Sequence, residues 1–520
     1  MINFIHRIIV NTPALVVIFF SAICIAVMIY FTPVLDRDEA RYAQTSFQIS
    51  ETNDFINLKF DESLRLKKPP GIYWIQFATY KLLNNFSDKE IWMFRIPSFL
   101  SFILMLFYTH KLARLLFYDL NTMIPLAALA GTIIVIFESL QGTTDMAYAS
   151  FSLMSYYYFF KSFQEDKNYS YIFFIITSLI AILIKGPTFL IILIPLLAFK
   201  LLDFNISLKK KLLQLSNLSI VVFLTILLAI IYNMLTEGQF LQQSLIKDFG
   251  NKLISTQESH GGIFGYYLLG SFVIIFPIYP LLIIGIFYNF FKKINWDKNL
   301  IIILSSIFLY VLILEIIPTK LPHYILPVVP LMAIYMSRTL EFIEFKWSKI
   351  LLGFNAGLVI ALIFLDIKAY EITGENRNNF SYIYYGLMVI PLFLNPIFFK
   401  NNQSLMNIVK LSSLSSSFLV FITVLNLVFI HKNLWIADGI KDFVNSHYGC
   451  GEDYNINIIG INEPSLLFTF YENFKLESNC NIYIKASELN DIPIDNTNST
   501  NKTFFNYSNG KKINLNFSKQ

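Results

Sequence analysis

Three acids and two arginines stand together in LDRDEARYAQ, residues 35–44, directly behind the nearly uncharged run from Ile8 to Phe31. An acid near a helix N-terminus stabilises the helix, and Asp38 can pair with Arg41 one turn on, so capping accounts for one of the acids. It does not account for Asp36, Asp38 and Glu39 together. Downstream, RLKKPPGIYW sets Lys67 and Lys68 before two prolines, whose fixed backbone would hold a cation still over an anionic ligand. Snorkelling to lipid headgroups is the plainer use of such lysines. SLQGTTDMAYA places Asp145 at the end of an apolar segment, where an ionisable residue is costly and a functional candidate, with helix capping by Thr144 or Asp145 as the competing role. LIKGPTF carries Lys185, and IIPTKLPHYILPVVP carries Lys320, His323 and Tyr324. Turn chemistry explains the glycine and prolines there but not a lysine in each. TQESHGGIFGYY offers Glu258 and His260, a weak metal pair, because a metal needs three or four ligands and a solvated histidine is commoner.

One acid among several cations suits a particular reaction. When a hydroxyl displaces a lipid phosphate from an anomeric carbon, the leaving group needs charge stabilisation more than protonation, and cations supply it. The nucleophile needs one general base. A glycosidase usually needs two carboxylates, whereas this set can run on one.

The elements that must position these groups are membrane spans. The chain has 520 residues, 55% hydrophobic and 14% charged, with a mean hydropathy of +0.56. That is too apolar for a soluble domain and predicts an all-α polytopic membrane protein. Apolar segments centre near Phe19, Leu104, Ile133, Ser155, Ile176, Leu193, Phe223, Ile275, Phe308, Met332, Leu358, Ile390 and Val420, thirteen in all. The first reads as a retained anchor, because it is longer than a signal core and no small-residue cleavage site follows.

Lysine and arginine in short loops favour the cytoplasmic side. With the N-terminus inside, Lys111, Arg114, Lys161, Lys200, Lys209 to Lys211, Lys292 and Arg338 fall inside, and few cations fall in the opposite short loops. The segment 32–95 and everything after His431 are then extracytoplasmic. Helical character over Arg37–Glu51 and in IYWIQFATYKLL predicts interfacial helices within 32–95. The chain divides into 1–430, the transmembrane part, and 431–520, a small α/β domain in which YNINIIGI, EPSLLFTFYENF and CNIYIKA read as strand, helix and strand, with a loose tail from about Asn496. Cys24 lies in an apolar run, while Cys450 and Cys480 share the outer tail, where a disulfide is permitted. The net charge of +5 is mostly the inside bias and gives no sign of nucleic-acid binding. A transporter or lipid flippase would also need many spans, but its polar groups should gather near the midplane with inverted repeats, and neither pattern is visible.

DEARYAQ, KKPPGIYW, TDM, IKGP and KLPHYILPVVP occur in the order seen in bacterial C-type glycosyltransferases. The chain resembles the 4-amino-4-deoxy-L-arabinose lipid A transferases and the protein O-mannosyltransferase-like (dolichyl-phosphate-mannose-protein mannosyltransferase) enzymes over roughly residues 1–430. The resemblance implies a GT-C type inner-membrane enzyme that moves a sugar from a polyprenyl phosphate, on the periplasmic side, to lipid A, lipopolysaccharide or another envelope acceptor, or to serine or threonine of secreted proteins. By motif, Asp38 is similar to the family's essential acid, Glu39 completes that motif, Asp145 matches a second acid, and Lys68 with Tyr324 match positions that hold the donor phosphate. Lys185, Lys320 and Arg41 join that phosphate set on chemical grounds. No cofactor is required by this pattern; Glu258 and His260 are the candidates for a divalent metal. The arabinose transferases read Glu-Lys-Pro where this chain has Lys67-Lys68-Pro69, and the loop after His260 has glycines in place of a phosphate-binding arginine. The resemblance therefore carries over neither a donor sugar nor a zinc site.

Overall fold

The computed structural model describes residues 14–165, 168–251, 261–292, 297–340, 348–374, 377, 379–399, 405–431, 434–449, 454–478, 480–486, 500–506 and 511–519. Twelve of the thirteen expected segment centres fall in helices, and Ile275 falls in the break between two. Among the described residues, six helices are long and apolar enough to cross a membrane. A seventh span arises if Tyr266–Ile274 and Ile278–Phe291, bent by 119°, are taken together. Pro277 lies in that break and has no N–H to continue a helix. The helix Leu208–Leu235 is the clearest span. Its 28 residues reach about 42 Å at 1.5 Å per residue, and most of its apolar side chains face outward, as lipid contact requires.

The segment between the first two long helices folds as expected into two helices, α1 (Asp38–Thr52) and α2 (Gly71–Leu83), with a short hairpin of Lys59–Phe60 and Ser63–Leu64 between them. α1 is mostly buried, wedged between α2 and the C-terminal domain. The next helix, α3 (Ile91–Leu116), contributes Arg95, which donates through Nε and an amino nitrogen to the Glu39 carboxylate at 2.7 and 2.6 Å. Both side chains are wholly buried.

The C-terminal domain contains a four-stranded sheet. Asn455–Ile459 (β1) pairs in parallel with Asn481–Ala486 (β2) across the helix Pro464–Phe470, which is the strand, helix and strand read from the sequence. The tail differs from its expected looseness: Thr500–Asn506 (β3) and Lys511–Lys519 (β4) pair antiparallel, and β4 also pairs with β2. The reason lies in INLNF, where Ile513, Leu515 and Phe517 alternate with asparagines and turn toward the sheet's apolar side. Cys480 is disulfide-bonded and Cys24 is free; Cys450 lies outside the described residues.

Three contacts dock this domain on α1. The Asp36 carboxylate accepts from the Ser465 N–H at 3.0 Å, Tyr471 donates to Glu51 at 2.6 Å, and the Lys89 ammonium lies 4.4, 4.7 and 5.2 Å from the rings of Phe47, Phe468 and Tyr471. Asp36 thus caps a helix more than four hundred residues away rather than its own. Burial pushes the Lys89 amine down to about 8.

Candidate functional site

The candidates are spread over several elements, and long-range contacts set their relative positions. Asp38 opens α1 with its side chain 65% exposed, 3.6 Å from Arg41. Arg37 before it has φ of 64° and ψ of −98°, a conformation that costs a non-glycine residue about 1–3 kcal/mol. The surroundings enforce it: Glu39 accepts from the Leu35 N–H at 2.9 Å, and Asp36 is held by Ser465. Glu39 also accepts from the Gly142 N–H at 2.6 Å, which pins the loop leading to Asp145 against α1. Gln76 adds a second tie by donating to the Gly142 carbonyl at 2.7 Å.

Asp145 is the first residue of the helix Asp145–Gln164. No side-chain capping bond forms there, so the capping role weighed for Thr144 and Asp145 is not what holds them. The buried Asp145 carboxylate instead contacts the Lys185 ammonium. Lys185 ends the helix Asn168–Lys185, and Gly186 turns the chain with φ of 108°. Its ammonium lies 4.9 Å from the Tyr324 ring centre and 5.6 Å from that of Tyr148. The KKPPG turn abuts this helix closely: a Cβ on Gly71 would stand 2.6 Å from the Leu183 carbonyl oxygen, so only glycine brings Lys68 this near to Lys185.

These elements enclose a cavity of about 500 Å³. Lys67, Lys68, Lys185, Asp248, His323 and Tyr324 are among its polar lining, and apolar residues of Leu208–Leu235, including Ile226, Ile231 and Leu235, form a wall. The Lys68 ammonium bonds Asp248 at 2.6 Å, which uses one of its three donors. His323 sits in the turn Pro322–Val328 beside Asp145, and burial pushes its imidazole down to about 4 although Asp145 and Asp38 pull the other way.

Other sequence candidates lie elsewhere. Glu39 has no exposed surface and all its bonds are to Arg95 and backbone N–H groups, so it positions the loop around Asp38. Lys320 is buried, donating to the carbonyls of Leu314 and Glu315 at 2.7 and 2.6 Å, with the Glu315 carboxylate at 3.6 Å. Glu315 in turn accepts from the N–H groups of Gly265, Tyr267 and Leu268, so this ion pair fixes the helix Tyr266–Ile274. Neither Lys320 nor Arg41 lines the cavity. Glu258 and His260 lie outside the described residues. The sequence reading did not place Glu138, Asp248 or His323 in the site. Glu138 is signalled only as the lone acid of TIIVIFESL, and Asp248 by nothing local.

An ammonium-lined cavity with an apolar wall can hold a phosphate carrying a long hydrocarbon chain. Residues 67–232, which include the KKPPG turn, Asp145 and Lys185, match the family of dolichyl-phosphate-mannose-protein mannosyltransferases. A protein of Aquifex aeolicus (strain VF5), itself uncharacterized, is 25% identical over 371 residues, 71% of this chain and 70% of that protein. The crystal structure of ArnT from Cupriavidus metallidurans bound to undecaprenyl phosphate is similar with a TM-score of 0.71 at 14% identity, over 96% of this chain and 97% of that one. The chain has the GT-C fold. The apo crystal structure of the same ArnT gives a TM-score of 0.68 over the same shares. The chain is thus similar to ArnT in fold and, over residues 67–232, to the mannosyltransferases in sequence, and its multi-pass membrane architecture goes with that fold.

Proposed function

We propose that this chain is a bacterial inner-membrane glycosyltransferase that moves a sugar from a polyprenyl-phosphate donor to a lipid A, lipopolysaccharide or other envelope acceptor at the periplasmic face. The observation that carries the reading is the cavity itself: lysines and a tyrosine in its lining, an apolar wall along its side, and an exposed carboxylate, Asp38, outside the lining but close enough to act on His323. That the similar ArnT was crystallised with undecaprenyl phosphate supports the same class of donor here.

In this scheme Lys68, Lys185 and Tyr324 hold the donor phosphate. The acceptor oxygen attacks the anomeric carbon from the face opposite the phosphate, so the configuration inverts. The bond from that carbon to the phosphate oxygen breaks as the new carbon–oxygen bond forms, and the lipid phosphate leaves with the electron pair. Asp38 takes the acceptor's proton. Asp145 holds Lys185 toward the phosphate, and Glu39 holds the strained turn that presents Asp38. The unit 1–430 carries the reaction and 431–520 sits on α1 at the periplasmic side.

A second acceptor class, serine or threonine of secreted proteins, draws support from the mannosyltransferase match over residues 67–232. Mass spectrometry of lipid A and of envelope proteins, with and without the active chain, separates the two by which molecule loses a sugar. Asp38→Asn should abolish transfer while the protein accumulates normally in the membrane. Near-normal turnover of an identified donor by that variant would refute the assignment.

A further inference from the structure

Beside the donor cavity, three ligand-type side chains from three elements face one another. Glu138 ends the helix Ile133–Ser139, Asp145 opens the next, and His323 comes from the turn Pro322–Val328. One His323 ring nitrogen lies 3.8 Å from Glu138 Oε1 and the other 3.7 Å from Asp145 Oδ1. One ligand atom from each of the three falls within 4.8 Å of the others.

We propose that Glu138, Asp145 and His323 form a binding site for a divalent cation of the zinc class. The spacing is the first argument. With one ligand atom taken from each residue the three lie within 4.8 Å of one another, wider than the roughly 3.3 Å between two ligands bound about 2.0–2.1 Å from a tetrahedral zinc but within reach of side-chain rotation. Small side-chain shifts would close the difference.

The second argument is how poorly Glu138 is served. It is 3% exposed, and among the described residues its one hydrogen bond comes from the Thr143 hydroxyl at 3.5 Å. A carboxylate offers about four lone-pair sites, and leaving a buried one nearly bare is costly unless a proton or a cation compensates it. Glu39, a few residues of loop away, shows what a fully served buried carboxylate looks like here, with Arg95 and two backbone N–H groups on it. The third argument is charge. Lys185 is committed to Asp145, and Lys68 acts on Asp145 from further off, so among the described residues Glu138 has no ammonium in direct contact. One nitrogen and two carboxylate ligands match a zinc-type donor set, and three protein ligands leave a coordination position open.

The site's ligands are other residues than the Glu258 and His260 pair. Its existence does not depend on the transfer reading. Its role does: on that reading, the dication turns the acidic side of the cavity net positive, and His323, the member of the trio that lines the cavity, brings it within reach of the donor phosphate.

The test uses the full chain purified in detergent micelles, stripped of metal and titrated with Co²⁺ and with Zn²⁺. The expected result is one ion per chain, a visible Co²⁺ absorption band that Zn²⁺ removes, and at least a tenfold loss of affinity in Glu138→Gln and in His323→Asn. Lys185→Met, which frees Asp145, should tighten binding. Binding well below one ion per chain in the unaltered protein would overturn the site, because the lysine ammoniums would then be what balances its two acids. Equal binding by the unaltered protein and both ligand variants would overturn it as well. Because the unaltered protein is read by metal content and absorption alone, neither a misfolded variant nor a failed transfer assay can mimic those outcomes.

Discussion

Replacing Glu39 by glutamine should destabilise the region around the Asp38 turn, and its magnitude follows from what surrounds Arg95. That guanidinium is fully buried and donates to Glu39 Oε1 at 2.7 Å and Oε2 at 2.6 Å, and to the carbonyls of Ile29, Thr32 and Pro33 at 3.0, 2.5 and 2.6 Å. The carbonyls carry no net charge, so Glu39 is the counter-ion. Glutamine keeps the shape and one acceptor but leaves the cation uncompensated, which in buried pairs costs about 3–5 kcal/mol. Arg95→Met strands the carboxylate at a similar cost. The double variant removes both charges, and its loss should fall short of the summed single losses by at least about 2 kcal/mol. Denaturant unfolding in detergent, followed by tryptophan fluorescence, measures all three. A single-variant loss below about 1 kcal/mol, or single losses that add within about 0.5 kcal/mol, would refute the claim that this pair is the keystone of the Asp38 turn.

Lys68→Ala should weaken polyprenyl-phosphate binding roughly 10- to 100-fold, the value of about 1.5–3 kcal/mol for a hydrogen bond to a charged group, and an unchanged affinity would remove Lys68 from the phosphate set. Asp438, in the helix Ile436–Tyr448 beyond the last span, has its carboxyl pushed up to about 6, chiefly by burial. An acid raised in the folded state costs nothing below its ordinary value near 3.8, and its cost grows as pH rises to about 6 and persists above. Asp438→Asn should therefore raise stability at pH 8 by at most about 3 kcal/mol and at pH 4.5 by about a third of that, and an equal gain at both values would show that the carboxyl's charge is not the cause.

Much of the scaffold was legible because it rests on local pattern. Apolar runs gave the spans, and the turn KKPPG and the amphipathic IYWIQFATYKLL gave a turn and α2 in place. The site was legible only as a roll of residue types on one side. Its assembly depends on pairs far apart in sequence, Glu39 with Arg95, Asp145 with Lys185 and Lys68 with Asp248, and no local period encodes those. The same lack explains Lys320, whose motif KLPHY reads as ligand-binding while its ammonium is spent on the carbonyls that end a neighbouring helix. The hairpin of β3 and β4 escaped because asparagines on its outer face dilute the alternation that Ile513, Leu515 and Phe517 keep on the other.

Asp38 and Glu39 show why adjacent acids need not share a task. Successive residues on a helix point about 100° apart, so two neighbours in the first turn of α1 cannot address one pocket. Here one carboxylate stays in water and the other goes to the core, and each outcome requires the other. A base must be exposed to meet its substrate, but an exposed residue behind a strained turn has no contacts of its own to hold that turn. Glu39 supplies them by tying Leu35, Gly142 and Arg95 to a single carboxylate. The same carboxylate reaches the loop that delivers Thr144 and Asp145, so a disturbance at Glu39 should move both acids of the site together, while one at Asp38 should leave Asp145 and its bond to Lys185 where they are.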